Sequence, residues 1–275
     1  MELQNNNQNF ADELFCLSYE TNAMADLLIR KETERWVTGF ANLDVEVEHI
    51  SRYNWAIDFV NNKRVLDIAC GSGFGSFLFA DKGKAKDVIG CDLDSNAIKY
   101  ASIKYSRPNL KFVCEDAIKF QDGNKFDVIV SFETIEHITN ADEFLITIDS
   151  LLNENGEFYV STPISEMGHD KSPSNPYHVQ EWGIEEFNRL VSRYFDVNET
   201  YLQMREVNLP IKFYWIILKQ KIQYLFNFKK INLFKNKFLG VNKMKPTLYS
   251  QNIAFQHYYG IVGLQILKLT KRKSK

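Results

Sequence analysis

Short apolar runs alternate with amphipathic stretches through the middle of the chain. The runs are rich in β-branched and aromatic residues, and they lie at 65–68, 87–92, 110–117, 126–132 and 156–163. Between them lie stretches with helical periodicity, such as 95–105 and 141–152. Buried strands that alternate with helices are typical of a parallel sheet with helices on both faces. The pattern therefore predicts an α/β, doubly wound fold.

Two further strands are predicted near the end of the chain. Residues 195–203 and 258–269 carry strand patterns, and lysines mix with bulky apolar residues between them. The chain has 275 residues, 45% of them hydrophobic, which is enough for one full core. We therefore predict four parts: an N-terminal helical cap (1–47), a core (48–204), a basic aromatic helical insertion (205–256), and the last strand with a basic tail (257–275).

A glycine-rich turn follows the first predicted strand. Residues 65–75 have the sequence VLDIACGSGFG, which passes from an apolar run through Asp67 to Gly71, Gly73 and Gly75. Glycine permits a positive φ and the close approach of a ligand to the backbone. A phosphate-binding loop would end in Gly-Lys-Ser or Gly-Lys-Thr, and a dinucleotide-binding turn would place its third glycine one position later. Neither pattern is present here.

Carboxylates at the strand ends narrow the choice of ligand. A pyrophosphate is repelled by an anion such as Asp67, whereas an ammonium group is attracted to it. S-adenosylmethionine carries an ammonium and a sulfonium group and no phosphate, so the turn favours this ligand. In open α/β sheets ligands bind at the carboxyl ends of strands. There Asp92 can accept both ribose hydroxyls, and Asp116 can accept an adenine amine.

Four segments in order, LDIACGSGFG, GCDLD, CEDA and FDVIVSFETIEH, resemble the class I S-adenosylmethionine-dependent methyltransferases. The resemblance covers about residues 48–203 and implies a seven-stranded, mostly parallel, Rossmann-like sheet. It implies that Asp67, Gly71 and Gly73 hold the methionine end of the cofactor, Asp92 the ribose, and Asp116 with Ala117 the adenine. The full set of cofactor contacts predicted on this basis is Arg52, Tyr53, Asp67, Ala69, Gly71, Gly73, Asp92, Leu93, Asp116, Ala117 and Phe132.

Further motifs flank the core. Residues 34–35 (ER) and 48–56 (EHISRYNWA) precede the first strand, and 162–163 (TP) and 175–182 (NPYHVQEW) follow the fifth. The combination resembles methyltransferases encoded with bacterial surface-glycan genes, such as those for O-antigen or capsule. It implies that Arg52 and Tyr53 lie on a helix over the cofactor and that loop 175–182 covers the acceptor. The alternatives are a solvated helix charge for Arg52 and a packing aromatic for Tyr53.

Candidate catalytic residues follow the fourth strand and lie in the covering loop. Methyl transfer is an in-line displacement that requires the nucleophile about 3 Å from the methyl carbon and, for a hydroxyl, removal of a proton. Histidine, with an ordinary pKa of ~6.5, suits that role. The candidates are His137, His178 and Glu133. The alternative for His137 is that it braces the loop or the cofactor.

A metal-dependent alternative uses an overlapping set of residues. Glu133, Glu136, His137 and His178 resemble the divalent-metal site of small-RNA terminal-ribose methyltransferases, in which a metal can bind vicinal hydroxyls and lower the pKa of the one attacked. The E-x-x-E-H sequence also occurs in metal-free relatives, and the spacing to His178 differs from that family. We therefore predict no metal and keep this set as the alternative.

Charge and cysteine usage bear on partners and compartment. Residues 1–204 hold 18 Lys and Arg against 34 Asp and Glu, whereas residues 205–275 hold 15 Lys and Arg against Glu206 alone. The stretch 210–246 is compatible with a helical cap on the core, with peripheral membrane contact near anionic head groups, or with nucleic acid. The acidic core disfavours a broad nucleic-acid interface. Four cysteines without C-x-x-C spacing, no leader pattern and no run of 18 apolar residues predict a cytoplasmic protein.

These observations lead to one expected function and several alternatives. We expect S-adenosylmethionine-dependent O-methylation of a sugar or sugar-linked group, free or linked to a lipid, in bacterial surface polysaccharide synthesis. The alternatives are methylation of a small lipophilic acceptor such as a quinone precursor, metal-dependent ribose 2′-O-methylation, and a cofactor-binding partner protein without catalysis.

Overall fold

The structure is a computed structural model, and it describes residues 21–25, 28, 36–38, 43–165, 168–204, 247–248 and 263–272. Within these residues it has eight strands: β1 (Arg64–Ile68), β2 (Asp87–Asp92), β3 (Leu110–Cys114), β4 (Phe126–Phe132), β5 (Leu152–Pro163), β6 (Phe195–Met204), β7 (Thr247–Leu248) and β8 (Gly263–Lys271). They lie in the order β3-β2-β1-β4-β5-β8-β6-β7.

The predicted doubly wound, mostly parallel sheet is confirmed. Parallel pairs join β3, β2, β1, β4 and β5, and β8 runs antiparallel between β5 and β6. The two-residue β7 pairs with β6 at the sheet edge and adds an eighth strand to the seven expected. Because β3 forms the opposite edge, its side chains are partly buried or exposed. The strand ends at Cys114 rather than at the predicted residue 117. β5 begins four residues earlier than predicted, because Leu152 pairs with Phe126.

Helices flank the sheet: α1 (Leu43–Ala56), α2 (Phe74–Asp81), α3 (Ser95–Lys104), α4 (Ala141–Leu151) and α5 (Ile184–Val191). α3 and α4 match the helical patterns predicted at 95–105 and 141–152, whereas α5 was not predicted. Side-chain caps explain two of the starts, because Asp94 accepts from the Asn96 N–H at 2.8 Å and Asn140 from the Glu143 N–H at 3.2 Å. Short 3-10 helices occupy Ile57–Phe59 and Ile135–His137. The four-part division of the chain stays a prediction.

Alternating side chains of the central strands face two hydrophobic cores. Leu66 and Ile129 pack in the core beneath α4 and α5, whereas their neighbours Val65 and Val128 pack in the core beneath α1 and α2. Successive side chains of a strand point to opposite faces. A parallel strand covered on both faces is therefore apolar at consecutive positions, which is the pattern seen in the sequence.

Three of the four cysteines lie within the described residues. Cys70 and Cys91 are buried free thiols and Cys114 is an exposed one, whereas Cys16 lies outside the described residues. None of the helices within the described residues combines the length and the apolar character needed to span a membrane. The segment 210–246 and the predicted strand residues 258–262 also lie outside the described residues.

The carboxyl end of β1 is enclosed by α1 and α2. Asp67 is 1% exposed, and it accepts hydrogen bonds from the Ser76 hydroxyl at 2.6 Å and the Tyr53 hydroxyl at 3.4 Å. Burial raises the pKa of Asp67 to about 7, although the Ser76 and Tyr53 hydrogen bonds act in the opposite direction. A Cβ on Gly75 would lie 1.9 Å from the Tyr53 ring. The absence of a side chain at Gly75 thus allows α1 to cover this end of β1.

We expect Gly75→Ala to destabilise the fold by about 1–3 kcal/mol, because the new methyl group overlaps the buried Tyr53 ring. Alanine favours a helix over glycine by only ~1 kcal/mol, which does not offset the overlap. The measurement is urea unfolding, with Gly123→Ala as the matched control, since a Cβ there meets no atom within 4 Å. Equal stability of the two variants would contradict the assigned contact, and combining Gly75→Ala with Tyr53→Ala should cost less than the sum of the two changes.

A second expectation concerns the pH dependence of stability. Folded Asp67 keeps its proton up to about pH 7, whereas the unfolded chain releases it near pH 4. The free energy of unfolding therefore falls between these values, by at most about 1.4 kcal/mol per pH unit. Asp67→Asn removes this contribution, so the variant should gain stability relative to wild type as pH rises from 5 to 7. Unfolding curves at each pH test this, with exposed Asp58→Asn as control, and a difference that does not vary with pH would refute it.

Candidate functional site

A cleft of about 1820 Å³ opens at the carboxyl ends of the parallel strands. It lies beside the point where the strand order reverses, between β1 and β4. At such a point the connections leave the sheet in opposite directions and expose a crevice that commonly binds nucleotides. Eight of the predicted cofactor residues line it: Tyr53, Ala69, Gly71, Asp92, Leu93, Asp116, Ala117 and Phe132.

The turn after β1 is held in a left-handed conformation. Ala69, Gly71 and Gly73 have φ values of 60°, 57° and 84°. The Gly71 N–H donates to one Asp92 carboxylate oxygen at 2.8 Å, and the Asp94 N–H donates to the other at 2.9 Å. Asp92 thus joins the β1 turn to the end of β2, while Leu93 beside it is 71% exposed.

Three predicted cofactor residues do not line the cleft. Asp67 and Arg52 are buried, and a Cβ on Gly73 would lie 2.5 Å from the Ala101 side chain and 2.8 Å from Phe112. Gly73 therefore permits the close packing of the turn against α3 and β3. These residues lie behind the wall of the cleft, and direct contact between them and a cofactor stays a prediction.

The alternative of a solvated helix charge for Arg52 is wrong. Its side chain is fully buried, forms an ion pair with Glu133, and donates to the Gln203 side chain at 2.9 Å. His49 Nε2 lies 3.2 Å from the same Glu133 oxygen. Helix α1 brings His49 and Arg52 to this carboxylate because they are one turn apart. Glu133 itself has a φ of 52°, and the ion pair stabilises it in this strained conformation.

Both functions considered for Tyr53 are compatible with its position. It lines the cleft, and its ring also contacts Phe79 and Phe132, with ring centroids 5.5 and 5.2 Å apart. The sequence motifs do not predict His49 or Gln203 as residues of the site. The only signal for His49 was its position three residues before Arg52, and Gln203 comes from β6, 151 residues away from Arg52 in the chain.

The predicted pair of histidines meets at the other side of the cleft. His137, at the end of a 3-10 helix, and His178, in the covering loop, have ring centroids 5.0 Å apart. His137 Nδ1 lies 2.9 Å from the Tyr177 carbonyl oxygen, and His178 Nδ1 lies 2.5 Å from a Glu181 carboxylate oxygen. Glu181 belongs to the predicted covering loop, and its H-x-x-E spacing from His178 in NPYHVQEW is the sequence signal for this contact.

Glu136 lies beside the two histidines. It is fully buried, and the Thr162 side chain is a hydrogen-bonding group at its carboxyl. Burial, followed by the negative charge of Glu133, raises its pKa to about 8. Its backbone oxygen accepts from the Val179 N–H at 2.8 Å, which fastens the covering loop to the 3-10 helix. One atom each of Glu136, His137 and His178 lie within 4.8 Å of one another, and Glu133 is not in this group.

Comparison with known proteins supports the same fold. A model of a methyltransferase-domain family matches residues 59–230. A probable S-adenosylmethionine-dependent methyltransferase of Mycolicibacterium smegmatis is 32% identical over 50% of this chain and 53% of its own length. The ubiquinone biosynthesis O-methyltransferase of Pelagibacter ubique is 31% identical over 38% of this chain and 43% of its own length. The chain thus spans about half the length of the curated relatives that it matches.

A solved structure with the same architecture is the N-methyltransferase NodS from Bradyrhizobium japonicum in complex with S-adenosylhomocysteine. Its TM-score is 0.55, with 12% identity, and the match covers 91% of this chain and 99% of NodS. At this identity the likeness shows the fold alone. The strand order, the left-handed turn at the reversal point and the family match over more than half of the residues agree, and the chain belongs to the methyltransferase-domain family, with the class I S-adenosylmethionine-dependent fold.

Proposed function

We propose that the protein transfers the methyl group of S-adenosylmethionine to a hydroxyl oxygen. The observation that carries the proposal is the arrangement of one cleft, with the β1 turn and strand-end acids on one side and His137 and His178 on the other. Family membership supports the choice of methyl donor. The position of the histidines supports a hydroxyl acceptor, because oxygen nucleophiles of this kind must lose a proton.

The donor side suits a nucleoside with an amino acid tail. The Asp92 carboxylate accepts the Gly71 and Asp94 N–H groups, one at each oxygen. It lines the cleft at the end of β2, where a carboxylate is a suitable acceptor for ribose hydroxyls. Exposed Leu93 offers an apolar surface for the adenine ring, and Asp116, which accepts the Ile118 N–H, retains capacity for an amine.

The acceptor side suits the activation of a hydroxyl. The Nδ1 atoms of His137 and His178 each have an acceptor, the Tyr177 carbonyl oxygen and the Glu181 carboxylate. These acceptors favour the tautomer with the proton on Nδ1, and at His178 the Asn175 amide nitrogen lies 3.1 Å from Nε2. In the reaction the hydroxyl oxygen forms a bond to the methyl carbon while the carbon–sulfur bond breaks, and the bonding pair passes to sulfur. The hydroxyl proton passes to the imidazole of His137 or His178, and S-adenosylhomocysteine is the product.

The finer proposal is a sugar or sugar-linked acceptor in bacterial surface-glycan synthesis. The loop that lines the acceptor side is polar and supplies donors and acceptors that suit a molecule with several hydroxyls: Asp170, Ser172, Ser174, Asn175 and Tyr177. The lysines and aromatic residues of 210–246 support an acceptor carried on a lipid and peripheral membrane contact, although this segment lies outside the described residues.

A second candidate is a small lipophilic phenol. Its support is the set of relatives named as ubiquinone biosynthesis O-methyltransferases, which are 31–33% identical over 36–38% of this chain. The discriminating measurement is transfer of labelled methyl groups to a panel of nucleotide sugars, glycolipids and quinols. Transfer to the quinols alone would favour the second candidate.

We expect His178→Ala to lower methyl transfer by roughly 10²- to 10⁴-fold while S-adenosylhomocysteine binds as in wild type, because the residue serves the acceptor only. His137→Ala should act in the same direction. The matched control is His169→Ala, since this histidine is exposed and lies against Gln180 and Trp182, outside the cleft lining. Full activity of the first two variants would refute the assignment of the acceptor side, and cofactor binding without transfer to any acceptor would favour a non-catalytic partner protein.

A further inference from the structure

We propose that Arg52 and Gln203 are positioning residues for the acceptor side of the cleft. They hold Glu133, and through its backbone they set the direction of the segment that carries His137. Arg52 lies behind the wall of the cleft and acts without touching the acceptor. The effect on catalysis rests on the proposed function, whereas the positioning itself does not.

The burial of Arg52 requires a physical reason other than stability. Moving a guanidinium out of water is costly, and a buried ion pair often stabilises a protein no more than apolar residues of the same volume. The Arg52 side chain is fully buried, whereas the Glu133 side chain remains 27% exposed. The Glu133 carboxylate therefore has access to water with or without Arg52. The ion pair is explained better by the geometry that it imposes than by the stability that it adds.

The backbone at Glu133 is a place where direction must be held. Its φ of 52° is left-handed, a conformation that is strained for any residue other than glycine. The Glu133 N–H donates to the Ser161 carbonyl and hydroxyl oxygens, both at 3.1 Å. The 3-10 helix that ends at His137 begins two residues later. A change in φ at Glu133 would therefore redirect this helix and move the His137 ring.

Contacts from α1 and β6 hold the Glu133 side chain. Arg52 donates one guanidinium N–H group to Glu133 and another to the Gln203 side-chain oxygen at 2.9 Å. Gln203 in turn donates to the Glu48 carbonyl oxygen at 2.9 Å, which joins β6 to α1. His49 lies 3.1 Å from Arg52 and 3.2 Å from the Glu133 carboxylate through its two ring nitrogens. A planar guanidinium with partners in two directions has a fixed orientation.

The 3-10 helix transmits this position to the covering loop. The Glu136 carbonyl oxygen accepts from the Val179 N–H at 2.8 Å, and His137 Nδ1 lies 2.9 Å from the Tyr177 carbonyl oxygen. A shift of the segment after Glu133 would thus displace the elements that carry both histidines. Misplacing a catalytic group by about 1 Å can lower a rate by roughly 10²-fold. Arg52 can therefore affect the reaction although it lies behind the wall.

The first test is Arg52→Met, measured with the full chain and whichever acceptor of the panel the wild type methylates. We expect kcat to fall roughly 10- to 100-fold, while urea unfolding and S-adenosylhomocysteine binding stay near those of wild type. Gln203→Met should act in the same direction by a smaller factor. Arg107→Met is the matched control, because Arg107 forms an exposed ion pair with Asp81 outside the cleft lining.

The second test needs no acceptor and follows the histidine rings by NMR. Arg52→Met should shift the imidazole resonances of His137 as well as those of His49, and those of exposed His169 should stay in place. Combining Arg52→Met with Glu133→Gly should return the His137 resonances toward wild type. Glycine adopts a positive φ without an ion pair to hold it, so this rescue is specific to a positioning role.

Each outcome supports or overturns the positioning role. A wild-type rate in Arg52→Met, or unchanged His137 resonances, overturns it. A loss of S-adenosylhomocysteine affinity that matches the loss of rate also overturns it and makes Arg52 a cofactor contact. If Arg52→Met proves unfolded by circular dichroism, Gln203→Met and the double variant decide the question. A wild type that transfers to no acceptor counts against the proposed function, and the NMR comparison still decides the positioning role.

Discussion

The hydrogen bond from the Gly71 N–H to Asp92 connects the two strand ends on which the cleft is built. β1 must turn sharply into α2, and it does so through three residues with positive φ. Gly71 and Gly73 adopt this conformation without steric strain, whereas Ala69 requires neighbouring structure to hold it. Asp92 does this from the end of β2, and the reversal of strand order between β1 and β4 leaves the space above it open. The position of the cleft is therefore a consequence of backbone geometry.

Two buried carboxyl groups, those of Asp67 and Glu136, differ in their surroundings. Asp67 and Glu136 are both fully enclosed, and burial raises both of their pKa values, but the two differ in their partners. Asp67 accepts from Ser76 and Tyr53, so it is integrated in the packing of α1 and α2 on β1. The Glu136 carboxyl has the Thr162 side chain and two histidines beside it. Asp67 thus supports the fold, while Glu136 lies in the wall of the cleft, where chemistry is expected.

Much of the fold could be predicted because it depends on local patterns. Consecutive apolar residues predicted the buried parallel strands, and the glycines with Asp67 and Asp92 predicted the turn and its place at strand ends. The number of strands and their exact ends could not be predicted, since β7 and the early start of β5 depend on pairing with distant strands. The environment of Arg52 could not be predicted either, because Gln203 and Glu133 contact it from β6 and from the end of β4.

The sequence by itself determined the fold class, the cleft-forming turn and the identity of the two histidines, because these follow from periodicity and from short motifs. Only the tertiary structure decided how those residues are used. It buried Arg52 against Glu133, gave His178 its Glu181 partner, and enclosed Glu136 beside the two histidines. Burial and charge pairing arise when segments far apart in the chain meet, and side-chain chemistry depends on that environment. A short motif can therefore identify the acidic and basic residues of a site, but it does not determine their interaction partners.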